Sequence, residues 1–241
     1  MEPEDKIMIK REEIDEAPGL SAPIGCRKFY FVRHGKTEWN NQLRYQGITD
    51  IPLNDEGREQ ARKAALRFSE VKLDAIICSP LVRARETAEI IAAYHDNISV
   101  ECCDLLIEIN FGIWEGLSVK DIKRISGDAV FAKWKDNPLH VDAPKGENMS
   151  GFFERSEKFA EYLIERSGEN ILTVGHGGML RGLFVPMLEY PRTSIFWKTR
   201  IDNCSITTFT LEPGNHFVLA CLNDTIHMKV AEESIKSIPI I

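Results

Sequence analysis

Three short apolar runs, each with a helix-like segment after it, constrain this 241-residue chain more than any other feature. They are "KFYFV" (28–32), "DAIIC" (74–78) and "ILTVG" (171–175). Each is too short for a buried helix and lacks the polar alternation of a half-exposed strand, so it reads as a strand covered on both faces. After the first run, Asn54 reads as the N-cap of "DEGREQARKAALRFSE", with small or apolar residues at 61, 64, 65 and 68. After the second, Ser79 and Pro80 fit the N-cap and N1 positions of "LVRARETAEIIAAY". After the third comes "GMLRGLFVPML", a helix with a late proline. "ISVEC" (98–102) reads as a further short strand, and residues 118–136 as two short helices. "SGFFERSEKFAEYLIERSG" is an amphipathic helix ended by Gly168. "SITTFTL" and "HFVLACL" flank Glu-Pro-Gly-Asn and form a hairpin. The expectation is an α/β three-layer sandwich: a mostly parallel central sheet, helices on both faces and a C-terminal hairpin. In such sheets ligands bind beyond the C-terminal ends of the strands.

The chain is 43% hydrophobic and 28% charged, the balance of one globular domain. That domain spans 26–230, with an irregular tail at 1–25 and a second tail at 231–241. A net charge of −7 argues against nucleic acid or an anionic membrane as partner, since both need basic faces. No run approaches the roughly 18 apolar residues of a membrane span, and the N-terminus lacks the apolar core of a signal peptide. A cytoplasmic location is expected. The six cysteines (26, 78, 102, 103, 204, 221) form no C-x-x-C pair and read as reduced, mostly core thiols. Without secretion, the four Asn-X-Ser/Thr matches at Asn97, Asn148, Asn203 and Asn223 are chance.

The stretch "FYFVRHGKTEWN" (29–40) contains Gly-Lys-Thr, the end of a phosphate-binding P-loop. The motif needs a glycine five residues before Gly35, where Tyr30 stands in an apolar strand, so this reading fails. Lys36 is then a solvated side chain. Arg33 and His34 instead follow directly on a buried strand, and His176 in "TVGHGG" follows another. Two histidines at corresponding strand ends can converge. Arg83 lies in the first turn of a helix, where a cation opposes the dipole unless an anion is bound there too. Arg85 falls about 200° further round and points elsewhere. In "LLIEINFGIWEG", Glu108 sits between two isoleucines, surroundings that favour a protonated carboxyl and so a general acid. Glu115, seven residues on, is an alternative from local context.

Together "FVRHGKTEWN", "YQGITDIPLNDEGREQA", "SPLVRARETA", "IEINFGIWEG" and "VGHGGMLRGL" resemble, in order, the motifs of the histidine phosphatase superfamily, which includes the cofactor-dependent phosphoglycerate mutases. The resemblance covers about Arg27 to Met228. It implies His34 as the nucleophile that becomes phosphorylated, Arg33, Arg83 and His176 as the phosphate clamp, and Glu108 rather than Glu115 as proton donor. It also implies that Asn40, Gln46, Gly47 and Gly177 line the phosphate pocket, and that neither cofactor nor metal is required. The partner would be a small phosphomonoester. The spellings "RHGKTEWN" and "FGIWEG" resemble the phosphatase branch, where α-ribazole phosphatases sit. Only about thirty residues separate Gly116 from "GENMSGFFER", shorter than the insertion covering mutase sites. Phosphomonoester hydrolysis is therefore expected ahead of mutase-type transfer, and ahead of a non-catalytic phosphate-binding module on the same fold. Phe111, Trp114, Phe131 and Trp134 read as core, with a lid over the leaving group as the alternative.

Overall fold

Burial on both faces of the apolar runs organises the fold. The computed structural model describes residues 26–191 and 196–240, apart from the His140 side chain. The expected tail at 1–25 lies outside these residues. Strands β1 (Arg27–Arg33), β2 (Ala75–Cys78), β3 (Val100–Cys102), β4 (Asn170–Gly175), β5 (Ile206–Glu212) and β6 (His216–Asp224) form one sheet, in the order β3-β2-β4-β1-β5-β6. The pairings β1–β4, β2–β4 and β2–β3 are parallel. β5 runs antiparallel to β1 and forms the hairpin with β6. The helices are α1 (Glu38–Asn41), α2 (Asp55–Phe68), α3 (Val82–Ala92), α4 (Val119–Ser126), α5 (Asp128–Asp136), α6 (Met149–Glu165), α7 (Gly177–Met187) and α8 (Glu232–Ile235).

Successive strand residues point to opposite faces, and each face has its own core. Phe29, Phe31, Ile77 and Ile171 pack with Phe152, Phe159 and Leu163 of α6 and with Leu180, Leu183 and Phe184 of α7. Tyr30, Val32, Ile76, Leu172 and Val174 pack with Ala61, Ala64, Ala65 and Phe68 of α2 and with Ala84, Ala88 and Ile91 of α3. Each large apolar side chain buried this way contributes roughly 1.5–3 kcal/mol. These two layers of helix, one per face, are the expected sandwich.

Several local expectations change. Helix α3 starts at Val82 with Leu81 as its cap, not at Ser79-Pro80; the Ser79 hydroxyl accepts from Leu81 N at 3.3 Å and meets His176 Nε2 at 2.8 Å. Helix α6 stops at Glu165. Gly168 lies in the turn beyond it at φ +116°, and its carbonyl accepts from Arg27 Nε at 2.8 Å. Of the cysteines only Cys78 and Cys204 are buried and Cys102 is exposed, so most are not core thiols; all six are free. Near the C-terminus, read as a tail, Ile235 is buried. Trp114, Trp134, Phe111 and Phe131 are all buried in the α6/α7-side core, the reading preferred for them.

The register sets the site. Arg33 pairs with Gly175, Val32 with Val174, and Cys78 with Val174. Three parallel strand ends are therefore level, and the residues after them meet at one edge of the sheet.

Candidate active site

His34 extends the ladder by one bond, its N–H donating to Gly175 O at 2.9 Å, which brings it beside His176. The two rings lie 5.2 Å apart, and both are buried. His34 Nδ1 is 2.6 Å from Gly35 O. A carbonyl only accepts, so Nδ1 carries the hydrogen and Nε2 keeps its lone pair. Burial, then the charges of Arg83 and Arg33, hold His34 well below the usual histidine range. Burial first, then Arg83, His34 and Arg33, do the same for His176. Both rings are neutral at pH 7.

Arg33 donates from Nη1 to Ile201 O at 2.8 Å. Arg83 is fully buried and donates to Thr49 O at 2.9 Å and Gly47 O at 2.7 Å. In each, Nε is buried without a partner. Burial pulls both guanidiniums down to about 10. Among the described residues neither forms a salt bridge with a carboxylate. Two buried, unpaired cations are costly unless an anion joins them. Arg85 instead pairs with Glu89 on the surface, and Lys36 with Glu56.

The two glutamates separate cleanly. Glu108 Oε1 accepts from Met179 N at 2.8 Å and Ile109 N at 3.0 Å, and Oε2 accepts from Gly178 N at 2.9 Å. His176, the N-cap of α7, offers no side-chain bond, so Glu108 supplies the cap from a distant loop. Its surroundings are thus apolar on one side only, and three backbone donors correct the sequence picture of a carboxyl among isoleucines. Glu115 accepts from Ile48 N, Thr49 N and Phe111 N, tying two loops together. Gly47 passes this carboxylate at φ +58°, where a Cβ would lie 2.0 Å from Glu115 Oε1.

Two amides are oriented by Thr37. Its N–H donates to Asn40 Oδ1 at 3.0 Å and its hydroxyl to Gln46 Oε1 at 3.0 Å. Each amide's NH₂ is left for a ligand. A cavity of about 180 Å³ brings together Arg33, His34, Asn40, Gln46, Gly47, Arg83, Glu108 and Gly177. His176 stands behind His34, outside the lining. Glu115 is also outside it.

Residues 29–225 match the histidine phosphatase superfamily (branch 1). The chain belongs to that superfamily. It is 34% identical to Phosphoglycerate mutase-like protein 4 of Arabidopsis thaliana, over 90% of this chain and 93% of that protein. It is 32% identical to Phosphoserine phosphatase 1 of Hydrogenobacter thermophilus, over 83% of this chain and 94% of that protein. The crystal structure of the alpha-ribazole phosphatase from Shigella flexneri superposes with a TM-score of 0.72 at 28% identity, covering 82% of this chain and 96% of that one.

This superfamily member carries cavity residues that sequence reasoning missed: Arg44, Tyr45, Arg181, Phe196 and Trp197. Arg181 had a usable signal. It lies four residues after Gly177 on a predicted helix, hence on the same face. Tyr45 opens the motif "YQGITDIPLNDEGREQA", next to Gln46, whereas Arg44, Phe196 and Trp197 come from segments with no motif.

Proposed function

We propose that this chain is a phosphomonoesterase that hydrolyses a small phosphorylated metabolite through a phosphohistidine on His34. One observation carries the reading: a neutral imidazole, with its Nε2 lone pair left free by the Nδ1–Gly35 bond, sits beside two buried guanidiniums that lack anions. Phosphoryl transfer needs mainly positioning and charge stabilisation. Arg33 and Arg83 hold the phosphoryl oxygens from the cavity wall, and His176, outside the lining but with Nδ1 buried and unpartnered, supports them from behind His34. The amide NH₂ groups of Asn40 and Gln46, the loop backbone at Gly47 and the Gly177 N–H at the start of α7 complete the pocket.

In the first step the Nε2 lone pair attacks phosphorus. The P–O ester bond breaks, and its electron pair leaves with the alkoxide, which takes a proton from Glu108. Oε1 already accepts two N–H groups and Oε2 only one, so Oε2 is the oxygen with room to exchange a proton with the substrate. In the second step Glu108 takes a proton from water, and the water oxygen attacks phosphorus. The P–N bond breaks, its pair returns to Nε2, and inorganic phosphate departs. One hard displacement becomes two easier ones. Every step uses the chain's own groups, so activity should survive a chelator. A cytoplasmic setting suits six free thiols.

The relationship to a phosphoglycerate mutase-like protein supports a second reading, in which a substrate hydroxyl rather than water takes the phosphoryl group. Rapid quenching with a phosphomonoester panel, followed by mass spectrometry, tests both. Phosphate on His34, released to water, is expected, with no turnover by His34→Ala. Turnover by that variant in contaminant-free preparations sinks the nucleophile assignment. Transfer to added alcohols in preference to water favours the mutase.

A further inference from the structure

The cavity holds more positive charge than a phosphate needs. Arg33, Arg44, Arg83 and Arg181 line it, against the single carboxylate of Glu108. A phosphomonoester carries about −1.5 to −2 at neutral pH, which Arg33 and Arg83 match. Arg44 is exposed at the mouth and bonds to Gln42 Oε1. Arg181 is the cation left over.

Among the described residues no acid pairs with Arg181. Nε donates to Thr199 O at 3.0 Å and Nη1 to Gly177 O at 3.3 Å, which leaves three of the five guanidinium N–H groups. The Trp197 ring lies 5.7 Å away, and Lys135 Nζ sits over the same ring at 3.7 Å. The carboxylates whose fields reach Arg181 are committed elsewhere, Glu108 to the start of α7 and Asp202 to Arg200 at 2.9 Å. A β-carbon on Gly177 would lie 3.4 Å from Arg33 Cζ and 3.6 Å from Arg181 Nη1, so two like charges flank one glycine. Arg181 therefore lies beside Arg33, whose guanidinium its charge pulls down after burial.

We propose that Arg181 is the specificity-determining residue of this site, pairing with a carboxylate on the leaving group. The substrates are then small phosphorylated hydroxy acids rather than neutral sugar phosphates. This rests on the phosphatase reading above. The remaining N–H groups of Arg181 suit a planar carboxylate.

The test is the ratio of kcat/KM between matched substrates with and without the carboxylate. The pairs are O-phosphoserine with O-phosphoethanolamine, and 3-phosphoglycerate with glycerol 3-phosphate. p-Nitrophenyl phosphate reports the chemical step. The wild type should favour the acids about 10- to 100-fold, the value of a charge-assisted contact. Arg181→Met should bring that ratio close to one, and Arg181→Lys should lower it part of the way. Each ratio is taken within one preparation, so a partly unfolded variant scales both members alike. A wild-type ratio near one, or an Arg181→Met ratio equal to wild type because both members fall together, overturns the proposal. Hydrolysis of none of the five probes by the wild type instead removes the phosphatase reading, and the proposal with it.

Discussion

Replacing Gly178 by alanine should displace the Glu108 carboxyl while leaving the helix beneath it intact. A β-carbon at this position would lie 2.6 Å from Glu108 Oε1 and 2.8 Å from Ile109 Cδ1, both ends of flexible side chains. Ordinary contact begins near 3.4 Å, so the carboxyl must recede by about 0.8 Å, the difference between 3.4 and 2.6. That movement strains its bonds to Gly178 N and Met179 N. Alanine itself favours a helix over glycine by about 0.8–1.0 kcal/mol, so the fold should not suffer. Misplacing a catalytic group by about 1 Å costs on the order of 10²-fold. We therefore expect about 10²-fold slower phosphohistidine formation from an alkyl phosphate in a single turnover. Nitrophenolate leaves with little help from a proton, so the nitrophenol burst should slow only a few-fold. Urea unfolding checks the fold. Equal slowing for both leaving groups, or no slowing for the alkyl ester, would refute the placement of Glu108 as acid.

Arg155 should act on the reaction through the same acid. Its Nη1 donates to Leu105 O at 2.9 Å and Ile107 O at 2.6 Å, its Nη2 to Glu108 O at 3.3 Å, and Glu147 anchors it. Arg155→Met should loosen this loop and slow alkyl-phosphate turnover about tenfold or more, with a smaller effect on the nitrophenol burst; equal effects would assign it to folding alone. His227 bears on stability, with burial holding it at about 4 while Nε2 bonds Cys204 O at 3.0 Å. Its folded value lies below the unfolded value of about 6.5, so the unfolded chain takes the proton first. The associated stability is complete above about pH 6.5 and is lost as pH falls toward about 4. His227→Gln should remove up to about 1.4 kcal/mol per pH unit from that slope, measured by urea unfolding between pH 7 and 4.5. An unaltered slope would contradict the burial argument.

The chemistry of the site was legible where it sits on strand ends. Arg33, His34 and His176 each follow an apolar run, and the parallel register makes those runs end level. Arg83 was legible because a cation in the first turn of a helix opposes the dipole. Between Glu108 and Glu115, local context left the choice open. Both lie in one apolar stretch, and they differ only in what meets them: the start of α7 for Glu108, the 48–49 loop for Glu115. Ser79 was misread for a related reason. Ser-Pro before a helix is a sound local cap signal, but here the hydroxyl bonds both Leu81 N and His176, 97 positions away, and the helix begins only at Val82.

The sequence by itself determined the strands, the helices, the edge of the sheet where chemistry occurs and the family to which the chain belongs. These follow from apolar runs, helix periodicity and ordered motifs, which act over a few residues or a turn. Only the tertiary structure decided which carboxyl lines the cavity with His34, how Thr37 orients two amides, and that Arg181, Tyr45, Phe196 and Trp197 line the same cavity. Those contacts join side chains from separate segments, and their energies depend on burial and on the absence or presence of a partner across the cavity. No local pattern encodes either.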